Sequence, residues 1–129
     1  MIVSSDISDI IYKDCSVFGI ERGRFGNIPE GELVNERIVI FTKTLSTEAY
    51  WNDVFVNVNF CVPDKEGVAE LSRLQELERE AWKRLKSSTG IFDGTRYRYG
   101  ISSSSIEEDE KMKCHYVNVI LKFEVLNVI

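Results

Sequence analysis

A chain of 129 residues with 21 acidic and 16 basic side chains carries a formal charge of -5. That length suits one core burying roughly two-thirds of the unfolded surface and is cramped for two domains. The acidic balance argues against a general nucleic-acid binder, which needs a broad basic face to displace counterions. Three cysteines, Cys15, Cys61 and Cys114, are widely spaced with no CxxC pair, so neither a disulfide framework nor a zinc module is indicated and a reducing compartment suits them.

The first residues lack a basic stretch followed by a long apolar one, and no apolar run approaches the ~20 residues that span a bilayer. The expectation is a protein that is not secreted and has no membrane partner. Ile7, Ile10 and Ile11 follow Ser4, Ser5 and Asp6 at helical spacing, which predicts a short capped helix over about residues 5–15 that ends near Gly19. Gly19, Gly23, Gly26, Gly31 and Pro29 then mark residues 19–36 as an irregular, glycine-rich loop.

Residues 37–45, rich in β-branched side chains, read as a strand joined to a second one that begins at Asp53. In that second strand Val54, Val56, Val58, Phe60 and Val62 share an apolar face, while Phe55, Asn57, Asn59 and Cys61 share a mixed one. After the turn at residues 63–67 the period changes. Leu71, Leu74, Leu77, Ala81 and Leu85 line one side of a helix that must lie on a sheet. Residues 87–90 stop the helix, residues 95–102 form a third strand, and residues 116–128 form a fourth. In the fourth, Val117, Val119, Leu121, Phe123 and Val125 share a face. Residues 102–113, polar and charged, read as a long exposed hairpin loop. The expected fold is therefore α+β, a mainly antiparallel sheet of about four strands carrying one long amphipathic helix and a short N-terminal helix, in a single domain over residues 1–129.

Little in this chain names a reaction. Cys114 and His115 are neighbours, but in a strand they point to opposite faces and do not form a nucleophilic pair; buried cysteines usually serve packing. Glu78 falls within the apolar arc of the long helix, where a carboxylate needs a partner or a raised pKa, unless the helix lies at a subunit boundary or sheet edge where Glu78 reaches solvent or an arginine of another chain. The glycine-rich loop has no P-loop lysine and no strand leading into a helix. Its Arg22, Arg24 and Phe25 read instead as contacts to a partner or as local packing. Arg96 and Arg98 alternate with Tyr97 and Tyr99, which favours solvated arginines over buried tyrosines rather than a stacking surface for single-stranded nucleic acid. The acidic run Glu107, Glu108, Asp109 and Glu110 lacks the alternating oxygen ligands of a calcium loop. No catalytic residue, metal or cofactor is expected.

The order of elements, with the segment VFVNVNFCVPDKEG leading into the long helix and HYVNVILKFEVLNV in the terminal strand, resembles the tail-terminator, or tail-completion, proteins of long-tailed bacteriophages and prophages. The resemblance covers about residues 5–129 and includes no invariant signature; the glycine-rich segment at 19–31 matches no feature of the family. It implies a non-enzymatic structural subunit of the virion tail, assembled in the bacterial cytoplasm. Such a subunit forms a ring, typically a hexamer, that caps the tail-tube protein and meets the head-connector protein. A ring needs two different patches on each subunit. The candidates are the strand face with Phe55, Asn57 and Asn59, the loop with Arg22, Arg24 and Phe25, Glu78, and the hairpin around Ile106. The alternatives are a small-ligand module with an apolar pocket beneath the Leu71–Leu85 helix, a protein-binding module of a mobile element, another head–tail joining protein, or an enzyme using Glu78 or a cysteine with His115.

Overall fold

The valine alternation from Val54 to Val62 runs through β3 (Tyr50–Pro63), whose register pairs it along its whole length with β6 (Cys114–Asn127). Each inward residue of β3 faces an inward residue of β6: Val56 opposite Leu121, Val58 opposite Val119, Phe60 opposite Val117. All six are fully buried, and such cross-strand pairs are the unit of sheet stability. The structure, a computed structural model, describes residues 1–24, 31–42 and 50–127.

Around this central pair stand β1 (Glu21–Gly23), β2 (Arg37–Thr42), β4 (Ser87–Phe92) and β5 (Thr95–Asp109), in the order β1-β2-β3-β6-β5-β4. The sheet is mixed and curves into a half-barrel: β1 runs parallel to β2, and every other pairing is antiparallel. Two helices, α1 (Ser4–Asp14) and α2 (Leu71–Leu85), cover one face. Among the described residues no helix is long and apolar enough to cross a membrane.

Among the described residues the expected four-stranded, mainly antiparallel sheet is thus corrected to a mixed one of six strands. One added strand, β1, lies inside the segment expected to be irregular. It is only three residues long, and Arg37 of β2 anchors it by donating from Nη1 to Glu21 at 2.6 Å. The other, β4, occupies residues expected only to end the long helix. Its Ser-Ser-Thr-Gly start is turn-like, yet Gly90 lies opposite Tyr97, whose ring fills the space a side chain would take. The third correction concerns the expected hairpin loop at residues 102–113. Residues 102–109 continue β5 against β6, after a register shift between Ile101 and Ser103, and the turn is confined to residues 110–113.

The helices obey the spacing of their apolar residues. In α1, Ile7, Ile10 and Ile11 are buried, and the Asp6 carboxylate accepts from the Val3 N–H at 2.9 Å, satisfying an amide at the helix start. A 3-10 turn (Cys15–Phe18) follows and ends at Gly19, whose φ of 66° is left-handed. In α2, Leu74, Leu77, Ala81 and Leu85 are buried against the sheet, the leucines each contributing about 1.5–3 kcal/mol of transfer free energy. They close on Val117, Val119, Leu121 and Phe123 in one cluster.

A smaller apolar cluster lies on the other face. Leu33, Val39, Cys61 and Cys114 are buried there with Phe41, Met112 and Tyr116 around them. The Leu33 N–H donates to the Met112 carbonyl at 2.9 Å, so the chain entering β2 crosses this face beside the β5–β6 turn. The rest of the face has no helix over it among the described residues.

Candidate interaction face

The register of four strands fixes what this second face presents. One row across it reads Val39, Asn59, Asn118 and Ser105; the next reads Phe41, Asn57, Ile120 and Ser103. Neither row contains a charged residue. Asn118 sits at the centre and donates from Nδ2 to Asn59 Oδ1 at 2.6 Å and to Asn57 Oδ1 at 3.1 Å. That bridge orients three amides, while each keeps further donor or acceptor capacity. Phe55, 44% exposed, extends the patch along β3.

Charge appears only beyond these rows. Lys122, opposite Phe55, pairs with Asp53 at 3.6 Å, and Arg98 donates to Glu124 at 2.9 Å. The hydrogen bond from Arg98 holds the Glu124 carboxyl below its usual range. At the opposite end the small apolar cluster and Tyr116, whose hydroxyl pKa burial raises, close the patch. An apolar and amide centre with a charged rim has the layout of a protein-binding surface.

Of the residues singled out in the sequence, Phe55, Asn57 and Asn59 come together here. Arg22 and Arg24 do not. Both guanidinium groups lie over the Tyr12 ring, at 4.2 and 5.0 Å from its centre, with Arg22 also donating to the Tyr12 carbonyl and Arg24 paired with Asp9. Phe25 lies outside the described residues. Ile106 is on the helix-bearing side, half-buried against the main core rather than at a hairpin tip. Glu78 has a partner within the chain: its Oε2 accepts from the Ser104 hydroxyl at 2.5 Å, and Ser104 Oγ accepts from Trp82 Nε1 at 3.0 Å.

Asn118, Ile120 and Phe41 belong to the patch and were not among the sequence candidates. The signal was available in strand parity: once Val117, Val119 and Leu121 face the core, Asn118 and Ile120 must face away.

The groups considered for chemistry do not converge. Cys114 and His115 occupy opposite faces, and His115 Nδ1 is 2.7 Å from Asp64 Oδ1. Burial pushes the thiols of Cys15 and Cys61 up to about 12 and that of Cys114 up to about 11, so all three rest protonated. Among the described residues no cluster of histidine, cysteine and carboxylate side chains is placed to hold a metal ion. The space beneath α2, expected to form any apolar pocket, is filled by its own buried leucines. Clefts of about 480, 440 and 510 Å³ lie elsewhere: on the β4–β5 hairpin, beside Tyr99 and Asp14, and among Glu32, Asp64, Glu66, Glu108 and Glu110. No protein-family profile matches the chain, and no curated protein matches it.

Proposed function

We propose that this protein is a non-enzymatic assembly subunit of a phage or prophage tail, a tail terminator that forms a ring, caps the tail tube and meets the head connector within the virion. The observation that carries this reading is the pair of charge-free rows across β2, β3, β6 and β5, with Phe55 beside them. A surface of aromatic, aliphatic and amide groups is suited to burial against another protein, and the resemblance of the strand–turn–helix unit and the terminal strand to tail terminators supplies the kind of partner.

The test is electron microscopy of the purified protein, alone and mixed with the tail-tube protein encoded beside it. The expected result is rings, or tubes capped at a fixed length, and loss of both in Phe55→Asp. A protein that neither forms rings nor alters tube length overturns the reading. Because Phe55 is already solvent-exposed, Phe55→Asp is expected to retain the parent circular dichroism spectrum.

A further inference from the structure

The strand β5 is longer than the neighbour on its outer side. It pairs with β6 over residues 96–109, but β4 accompanies it only from Phe92 opposite Thr95 to Ser87 opposite Gly100. Among the described residues no strand pairs with the outer edge of residues 102–109. This leaves a notch in the sheet, collinear with β4 and bounded at one end by Lys86, whose carbonyl accepts from the Ile101 N–H at 3.4 Å. Four serines, Ser102 to Ser105, occupy the notch, followed by Ile106 and the acidic Glu107, Glu108 and Asp109. Free edges are commonly blunted by charged side chains, proline, a β-bulge or a covering loop; here the register shift lies at one end, between Ile101 and Ser103, and the acids at the other, and Ser104, Ser105 and Ile106 between them carry neither charge nor proline.

The helix beside the notch is also incompletely covered. Leu71, Glu78 and Trp82 are seven and then four residues apart, which places them along one line of α2. The Glu78–Ser104–Trp82 hydrogen bonds fix that line toward β5. Leu71 is 53% exposed and Trp82 41% exposed, and Val68, just before the helix, is 66% exposed.

We propose that the notch is filled by the same notch of a second copy of this chain, β5 pairing antiparallel with β5 about a two-fold axis, so that the two α2 helices lie side by side over a continuous sheet. Two features select this occupant, in which each copy's β5–β6 turn abuts the Lys86 corner of the other. The antiparallel sense sets the acidic end of one strand beside that exposed lysine, whereas a parallel pairing would align two acidic runs. The exposed Leu71 and Trp82 flank the junction and are covered by the neighbouring helix. A two-fold contact is isologous and does not itself build a ring; it closes the sheet edge of the unassembled subunit and leaves the amide face open.

Sedimentation of the full chain over a hundredfold range of concentration tests this together with two cysteine variants. The expected results are a dimer, cross-linking of Ser105→Cys by diamide, no cross-linking of the exposed control Ser72→Cys, and a dimer dissociation constant raised about tenfold or more in Leu71→Glu. The native thiols are buried and leave the background low. A monomer throughout the range overturns the proposal, as does equal cross-linking of the two cysteine variants. Larger rings in which Ser105→Cys fails to cross-link also overturn it while leaving the tail-terminator reading standing.

Discussion

Tyr99 and Asp14, 85 positions apart in the chain, meet at 2.6 Å, the tyrosine hydroxyl donating to Asp14 Oδ2. This bond joins the end of α1 to β5. The Tyr99 and Tyr97 rings both stack on Phe123, with centres 5.7 and 5.3 Å from it.

Replacing Tyr99 by Phe keeps the stack and removes only the hydroxyl. The expected loss is about 1–3 kcal/mol, because a buried hydrogen bond to a charged partner is lost. Urea unfolding measures it; an unchanged midpoint and slope would mean that the bond contributes nothing net.

Stability should fall at alkaline pH. Burial is the main cause that raises Cys15, Cys61 and Cys114 from 9.0 to about 12, 12 and 11, and it raises Tyr99 from 10.0. With folded values above unfolded ones, the folded state binds more protons once pH passes 9.0, so stability is full below that point and declines above it. Calorimetry should show the melting temperature falling above that pH, with Tyr99→Phe less steep above 10.0.

Two glycines in the β4–β5 hairpin should differ in tolerance. A Cβ on Gly100 would sit 2.7 Å from the Lys86 carbonyl oxygen, a backbone atom, whereas on Gly90 it would meet the Tyr97 ring at 2.4–2.6 Å. Both alanine variants are expected to lose about 1–3 kcal/mol through overpacking. Tyr97→Ala itself loses the stack on Phe123, so the readout is the coupling: Gly90→Ala should cost less in the Tyr97→Ala background than in the parent, and Gly100→Ala the same in both. Equal coupling for the two glycines would contradict the assigned clashes.

On the amide face, Asn118→Ala removes the bridge to Asn57 and Asn59 and should cost about 1 kcal/mol, since the released oxygens are half-buried and can reach water. Asn118→Lys puts a charge into the charge-free rows. It is expected to fold and to lose tube capping by electron microscopy; capping at the parent level would remove this face from the interface.

The legible parts of the fold are those where burial writes a period. Leu74, Leu77, Ala81 and Leu85 repeat at helical spacing because one side of α2 is dry, and Val54 to Val62 alternate because one side of β3 is. Residues 102–109 carry no such mark: the strand is held by β6, and its serines and acids border solvent, so composition alone reads as loop. In β4 the stabilising group is Tyr97 on another strand, and in β1 three residues are too few to show a period. The amide face was half legible, because Asn57 and Asn59 stand in one alternating run while Asn118 meets them only through the β3–β6 register.

The place of β6 in the sheet bears on how the protein comes off the ribosome. Among the described strands it is made last, yet it lies between β3 and β5. Until residues 114–127 leave the exit tunnel, the nascent chain holds two separate pieces, β1-β2-β3 and the β4–β5 hairpin, each with a bare edge waiting for the same partner. Helix formation in α1 and α2 can precede it, whereas closure of the sheet waits for β6 and is slow, as non-local pairing requires. Polysomes carrying several such chains would hold many bare edges close together.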